Sequence, residues 1–147
     1  MYGRSNALAS YGRVANSEND PMQQVVMLYD GAIRFLRLAG ADIESGNLVA
    51  KADHTNRALD ILNYLQSILD FEQGGEVAST LDRLYTLVSM KALRGSANLD
   101  ARAMATAVDL LTPVRDSWNQ IAAAAQVQPH IAITVPGSPE RLGRVSV

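Results

Sequence analysis

Residues 21–45 read PMQQVVMLYDGAIRFLRLAGADIES, and how this stretch is read decides the fold. Pro21 sits where a first helical residue has no use for its N–H. Asp20 before it accepts from the orphan donors of the first turn, and Gln23 reaches back in the manner of a capping box. Met22, Val25, Tyr29, Ile33, Leu36 and Ile43 then recur at helical spacing, while Asp30, Arg34, Arg37 and Glu44 form a polar stripe. Ser45-Gly46-Asn47 stops the run. A helix over about 21–45 follows.

The rest of the chain repeats that grammar. Asn47 is a cap for a second helix, expected over about 47–73, with Val49, Ala52, Leu59, Leu62 and Leu69 along one stripe. Gly74-Gly75 is expected to close it, since glycine takes positive φ cheaply. A third helix, about 76–97, starts at Glu76, whose charge suits the N-terminal end of the dipole. It buries Val77, Leu81, Leu84, Tyr85, Val88 and Ala92. Asn98 or Asp100 caps a fourth, about 99–126, with Met104, Val108, Leu111, Trp118 and Ala125 as its stripe and a bend expected at Pro113. Short connections favour antiparallel neighbours. The predicted fold is therefore all-α: an antiparallel up-and-down four-helix bundle over residues 21–126. A mobile N-terminal arm (1–20) and an irregular C-terminal tail (127–147) flank it.

Composition narrows the function. The chain has 147 residues, 48% apolar and 5% aromatic, with no cysteine and a formal charge of −2. Its basic residues are scattered, which argues against nucleic acid as a partner. No apolar run reaches the roughly 18 residues of a membrane span. No signal peptide is legible, so a cytoplasmic location is expected. His54 has Ala58 at i+4 rather than a second ligand, and reads as a surface histidine; His130 has no local partner. Asp70 and Glu72 do not share a helix face, and Asp30 with Arg34 at i+4 reads as a solvated ion pair. No metal, no cofactor and no catalytic residue is predicted, and an enzyme is disfavoured.

What the pattern offers instead is apolar width. Leu28, Ala32, Phe35 and Ala39 make a second stripe on the first helix, and Ala58, Ile61, Leu65 and Ile68 a second on the next. A bundle helix needs an apolar arc of about 100° or somewhat more. Two readings stand: a tight core that uses both stripes, or an exposed groove for a partner segment. In the second reading Tyr2, Leu8, Tyr11 and Val14 of the arm cover the groove when it is empty.

Four segments, MLYDGAIRFL (27–36), GNLVAK (46–51), LDFEQGGEVASTLDRLY (69–85) and VRDSWNQI (114–121), together resemble the flagellar secretion chaperone family, FliS, over about Tyr11 to Ile121. The resemblance implies a helical bundle that binds the C-terminal region of flagellin in the cytoplasm. It implies further that premature polymerisation is prevented and that flagellin is delivered to the flagellar type III export apparatus, with export-gate components as further partners. It also implies an arm displaced by the client, Tyr2 and Tyr11 matching the family's tyrosines near the start. The expected partner-binding residues are Tyr2, Leu8, Tyr11, Leu28, Phe35, Ile61, Leu65 and Ile68. A monomer is expected. The competing reading is a structural bundle that self-associates through its surplus stripes.

Overall fold

The computed structural model describes residues 21–127, with side chains through Ala124. Four helices follow one another: α1 (Pro21–Ser45), α2 (Leu48–Ser67), α3 (Phe71–Ala97) and α4 (Ala101–Val127). No strand occurs among the described residues. The arm and the tail lie outside them.

Each connection is closed by local hydrogen bonds that the sequence encodes. At the end of α1, Gly46 adopts φ 77°. Its N–H and that of Asn47 donate back to the carbonyls of Ile43 and Asp42 at 3.2 and 2.8 Å. Asn47 then turns donor-acceptor roles around, its side chain accepting from Ala50 N at 3.1 Å to open α2. The end of α3 has the same geometry, Leu99 N–H donating to Ser96 O and Asp100 N–H to Gly95 O. Here, however, the left-handed position is held by Leu99 at φ 52°. An L-residue with a Cβ pays for that conformation. Leu99→Gly is therefore expected to stabilise the fold by about 1 kcal/mol, raising the melting temperature by roughly 2–4 °C. A variant that melts at or below the parent temperature in thermal denaturation would contradict this.

Two predicted boundaries move. α2 ends at Ser67, not near residue 73, because the chain turns at Ile68–Asp70 and the Asp70 carboxylate accepts from Gln73 N at 3.0 Å. Gly75 keeps its positive φ (53°, ψ −124°), but it breaks α3 after one turn instead of closing α2. α4 continues through Pro113.

α1 packs along α2 on one side and α4 on the other, and α3 completes the ring with α2 and α4, meeting α1 only lightly across the diagonal. The core between them holds Leu28, Tyr29, Leu36, Leu62, Leu65, Tyr85, Met104, Leu111 and Trp118. At Gly31 a Cβ would come within 3.1 Å of Ile61 Cδ1, so glycine there permits the close approach of α1 and α2. At mid-core the Tyr29 and Tyr85 hydroxyls lie 2.6 Å apart, one donating to the other. The Trp118 ring sits 6.5 Å from that of Tyr29.

Polar pins register the helices around this core. Arg115 donates to both carboxylate oxygens of Asp30 at 2.7 and 3.4 Å, joining α4 to α1, so Asp30 has a partner 85 residues away and not Arg34. The predicted surface histidine is also a pin: His54 Nδ1 lies 2.6 Å from Asp42 Oδ2, and its ring stacks on Phe35. Arg34 and Arg57 each place a guanidinium 5.8 Å from the Phe35 centroid. The Gln66 amide donates to Asp82 and Thr86, tying α2 to α3. Lys51 Nζ donates to Ser96 O at 2.9 Å, capping the end of α3 from α2.

Candidate protein-docking face

α3 is the helix with two faces. Ala78, Leu81, Tyr85, Val88, Ala92 and Gly95 point into the bundle, at helical spacing. On the other side Leu87, Met90 and Leu93 are 42%, 43% and 53% exposed. Large apolar side chains scattered singly need no explanation, but three within two turns of one helix form a patch. Methionine is a side chain that adapts to differently shaped partners.

Beside this patch lies a hollow of about 240 Å³ between α3 and the first turn of α4, lined by Leu87, Met90, Lys91, Arg94, Gly95, Asn98, Asp100 and Ala103. Gly95 makes its floor shallow. A Cβ at that position would stand 3.0 Å from Ala103 Cβ and 3.1 Å from Asp100 O, so only glycine lets the two helices close this tightly. The acid of the lining is occupied: Asp100 Oδ1 accepts from Arg102 N and Ala103 N at 3.0 and 3.2 Å, capping α4. The Lys91 and Arg94 side chains form no hydrogen bond or ion pair among the described residues.

A second hollow, of about 380 Å³, runs between α1 and α4 over Leu36, Gly40, Ala41, Ala101, Met104, Ala105 and Val108, and its rim mixes Arg37 with Glu44 and Asp109. Among the described residues no group of three or more His, Cys, Asp or Glu converges. No described helix is long and apolar enough to cross a membrane. Burial pushes the Tyr29 hydroxyl up to about 12, its bond with Tyr85 opposing, and burial also raises Tyr85. The Trp118 indole N–H approaches Tyr29 without reaching hydrogen-bond geometry. These groups lie in the core. The Asp30 carboxylate raises the Arg115 guanidinium, a surface ion pair.

The residues expected at a binding groove fall in three places. Leu28, Ile61 and Leu65 are in the core, at most 3% exposed. The expectation of an open second stripe is thus not met at these three, because α1 and α2 each have a neighbouring helix on both sides and use both stripes to meet them. Phe35 and Ile68 are half-buried and pack against the core edge. Tyr2, Leu8 and Tyr11 lie outside the described residues. The exposed patch at Leu87, Met90 and Leu93 was legible as an i, i+3, i+6 run opposite the buried stripe.

Comparison with known proteins gives this face a context. Residues 4–125 match the family described as Flagellar protein FliS. The chain is 36% identical over 109 residues to the flagellar secretion chaperone FliS of Salmonella typhimurium, covering 74% of this chain and 81% of that protein. It is 30% identical over 105 residues to the one of Vibrio cholerae, covering 71% and 77%. Against the flagellar secretion chaperone FliSB of Pseudomonas aeruginosa the identity is 28% over 105 residues, covering 71% and 83%. A four-helix bundle with an apolar outer face, matched over most of its length by proteins that carry this name, belongs to the FliS family of flagellar proteins.

Proposed function

We propose that this chain is a cytoplasmic export chaperone for flagellin, holding its C-terminal segment until the flagellar type III export apparatus takes it. The observation that carries the reading is the outer face of α3, where Leu87, Met90 and Leu93 stand exposed beside a hollow closed by α4. Amphipathic terminal segments that would otherwise pair with one another lose that surface to water when they dock on such a face. Ordering the client on binding costs entropy, which keeps affinity moderate for the area buried and permits release. The arm, with Tyr2, Leu8 and Tyr11, acts in this reading as an intramolecular competitor at roughly millimolar effective concentration. Phe35 and Ile68, half-buried at the core edge, are further contacts in this reading, apart from the α3 face.

Calorimetry with a flagellin C-terminal peptide tests this. The parent chain is expected to bind one to one, and Leu87→Ser with Met90→Ser to weaken binding by about tenfold or more, each side chain carrying on the order of 1 kcal/mol of half-buried apolar area. Light scattering of the same samples separates the competing reading. A stable dimer indifferent to the peptide would replace the chaperone with a self-associating bundle.

A further inference from the structure

The outer face of α3 carries a charge pattern that apolar docking alone does not require. From Arg83 to Ala97 the helix contains three cations, Arg83, Lys91 and Arg94, and no acid, in a chain whose formal charge is −2. Arg83, Leu87, Met90, Lys91 and Arg94 stand at i, i+4, i+7, i+8 and i+11, which places them on one side of the helix. Of the cations, Arg83 makes only a 3.4 Å contact to Thr80 Oγ1. Lys91 and Arg94 have no partner among the described residues, and the nearby Asp100 carboxylate is committed to the α4 cap.

The helix dipole explains only part of this. Its favourable field for cations falls off within the last turn, and Arg94 is the basic residue found there. Arg83 and Lys91 lie farther back. We infer that the occupant of this face is an amphipathic helical segment whose apolar stripe is flanked by acidic residues, paired by Arg83, Lys91 and Arg94. The cations span 11 positions, about 16 Å of helix at 1.5 Å per residue, so the acids of a complementary segment spread over about three turns. Such charges at the rim of an apolar contact select partner and register more than they add raw affinity. The inference rests on reading this face as the client's seat and adds the chemistry by which the client is chosen.

The test uses the full chain and three synthetic amphipathic peptides that share one leucine stripe and differ only at the flanks, carrying Glu, Gln or Lys. The Glu peptide is expected to bind about tenfold tighter than the Gln peptide at low salt, and that margin to shrink as salt screens it. In the Lys91→Glu, Arg94→Glu variant the preference is expected to pass to the Lys peptide. Equal affinity for the Glu and Gln peptides, both weakened by Leu87→Ser, would overturn the charge inference and leave the docking face standing. Binding of all three peptides unaltered by Leu87→Ser would remove the face itself. A charge-reversal variant that melts lower but keeps the parent's peptide preference would also overturn the inference, assigning the cations to the stability of α3.

Discussion

Trp118→Ala is expected to destabilise the bundle by about 3–5 kcal/mol, the range for deleting a fully buried large aromatic. Trp118 is 1% exposed and sits in the core beside Tyr29 of α1, the two rings 6.5 Å apart. Removing it leaves a cavity that rigid neighbouring helices fill only partly. A domain of this kind has a total stability of about 5–15 kcal/mol, so a third or more of it would go with one residue. The measurement is denaturant unfolding followed by circular dichroism, since the only tryptophan of the chain is lost in the variant. Leu93→Ala is the matched control. Its side chain is more than half exposed, and a surface change of that sort stays within about 0.5 kcal/mol. If the two variants unfolded alike, the division of α3 and α4 into inner and outer faces would be wrong.

The second large effect is alkaline. Tyr29 ionises at about 12 in the folded chain against 10.0 as the ordinary value, because burial penalises the phenolate, and Tyr85 is raised in the same direction by burial and by Tyr29. Between these values the unfolded chain releases protons that the folded chain retains. The stability contributed by the pair is therefore fully present below pH 10 and is lost as pH rises from 10 through about 12. For Tyr29 the two-unit difference corresponds to about 3 kcal/mol at the upper end. Urea midpoints measured from pH 8 to 11.5 are expected to hold and then fall. The double variant Tyr29→Phe, Tyr85→Phe removes both hydroxyls at nearly constant shape, so at pH 8 it is expected to be close to the parent, and its alkaline decline to be shallower. Either single variant leaves a buried hydroxyl unpaired and costs about 1–3 kcal/mol. An alkaline decline of equal depth in the double variant would place its origin elsewhere.

Local features of the fold were legible because their causes are local. Pro21 opens α1, Asn47 and Asp100 each bond the N–H groups of the following turn, and Gly46 takes the left-handed position that ends α1. Each involves residues within about five positions of one another, and residue type alone dictates it. The apolar periods of α1 and α4 likewise named Tyr29, Leu36, Leu111 and Trp118 as core. Where local chemistry competed with itself, the reading slipped: Gly74-Gly75 was a sound site for a break, but the Asp70 cap had already started the next helix.

What the sequence could not contain was the list of neighbours. Helical periodicity states how wide an apolar arc is and says nothing of which helix covers it. α1 lies between α2 and α4, so Leu28 and its second stripe are buried, and Ile61 and Leu65 with them. α3 packs against its two neighbouring helices less extensively than α1 does, and its outer face with Leu87, Met90 and Leu93 remains open. The same holds for charge: Asp30 bonds Arg115 across 85 residues in preference to Arg34 one turn away, and His54 is drawn to Asp42 by the packing of α1 against α2. Sequence by itself determined that there would be four helices and where most of them begin. The tertiary arrangement decided which apolar faces water still reaches, because burial is a property of pairs of helices.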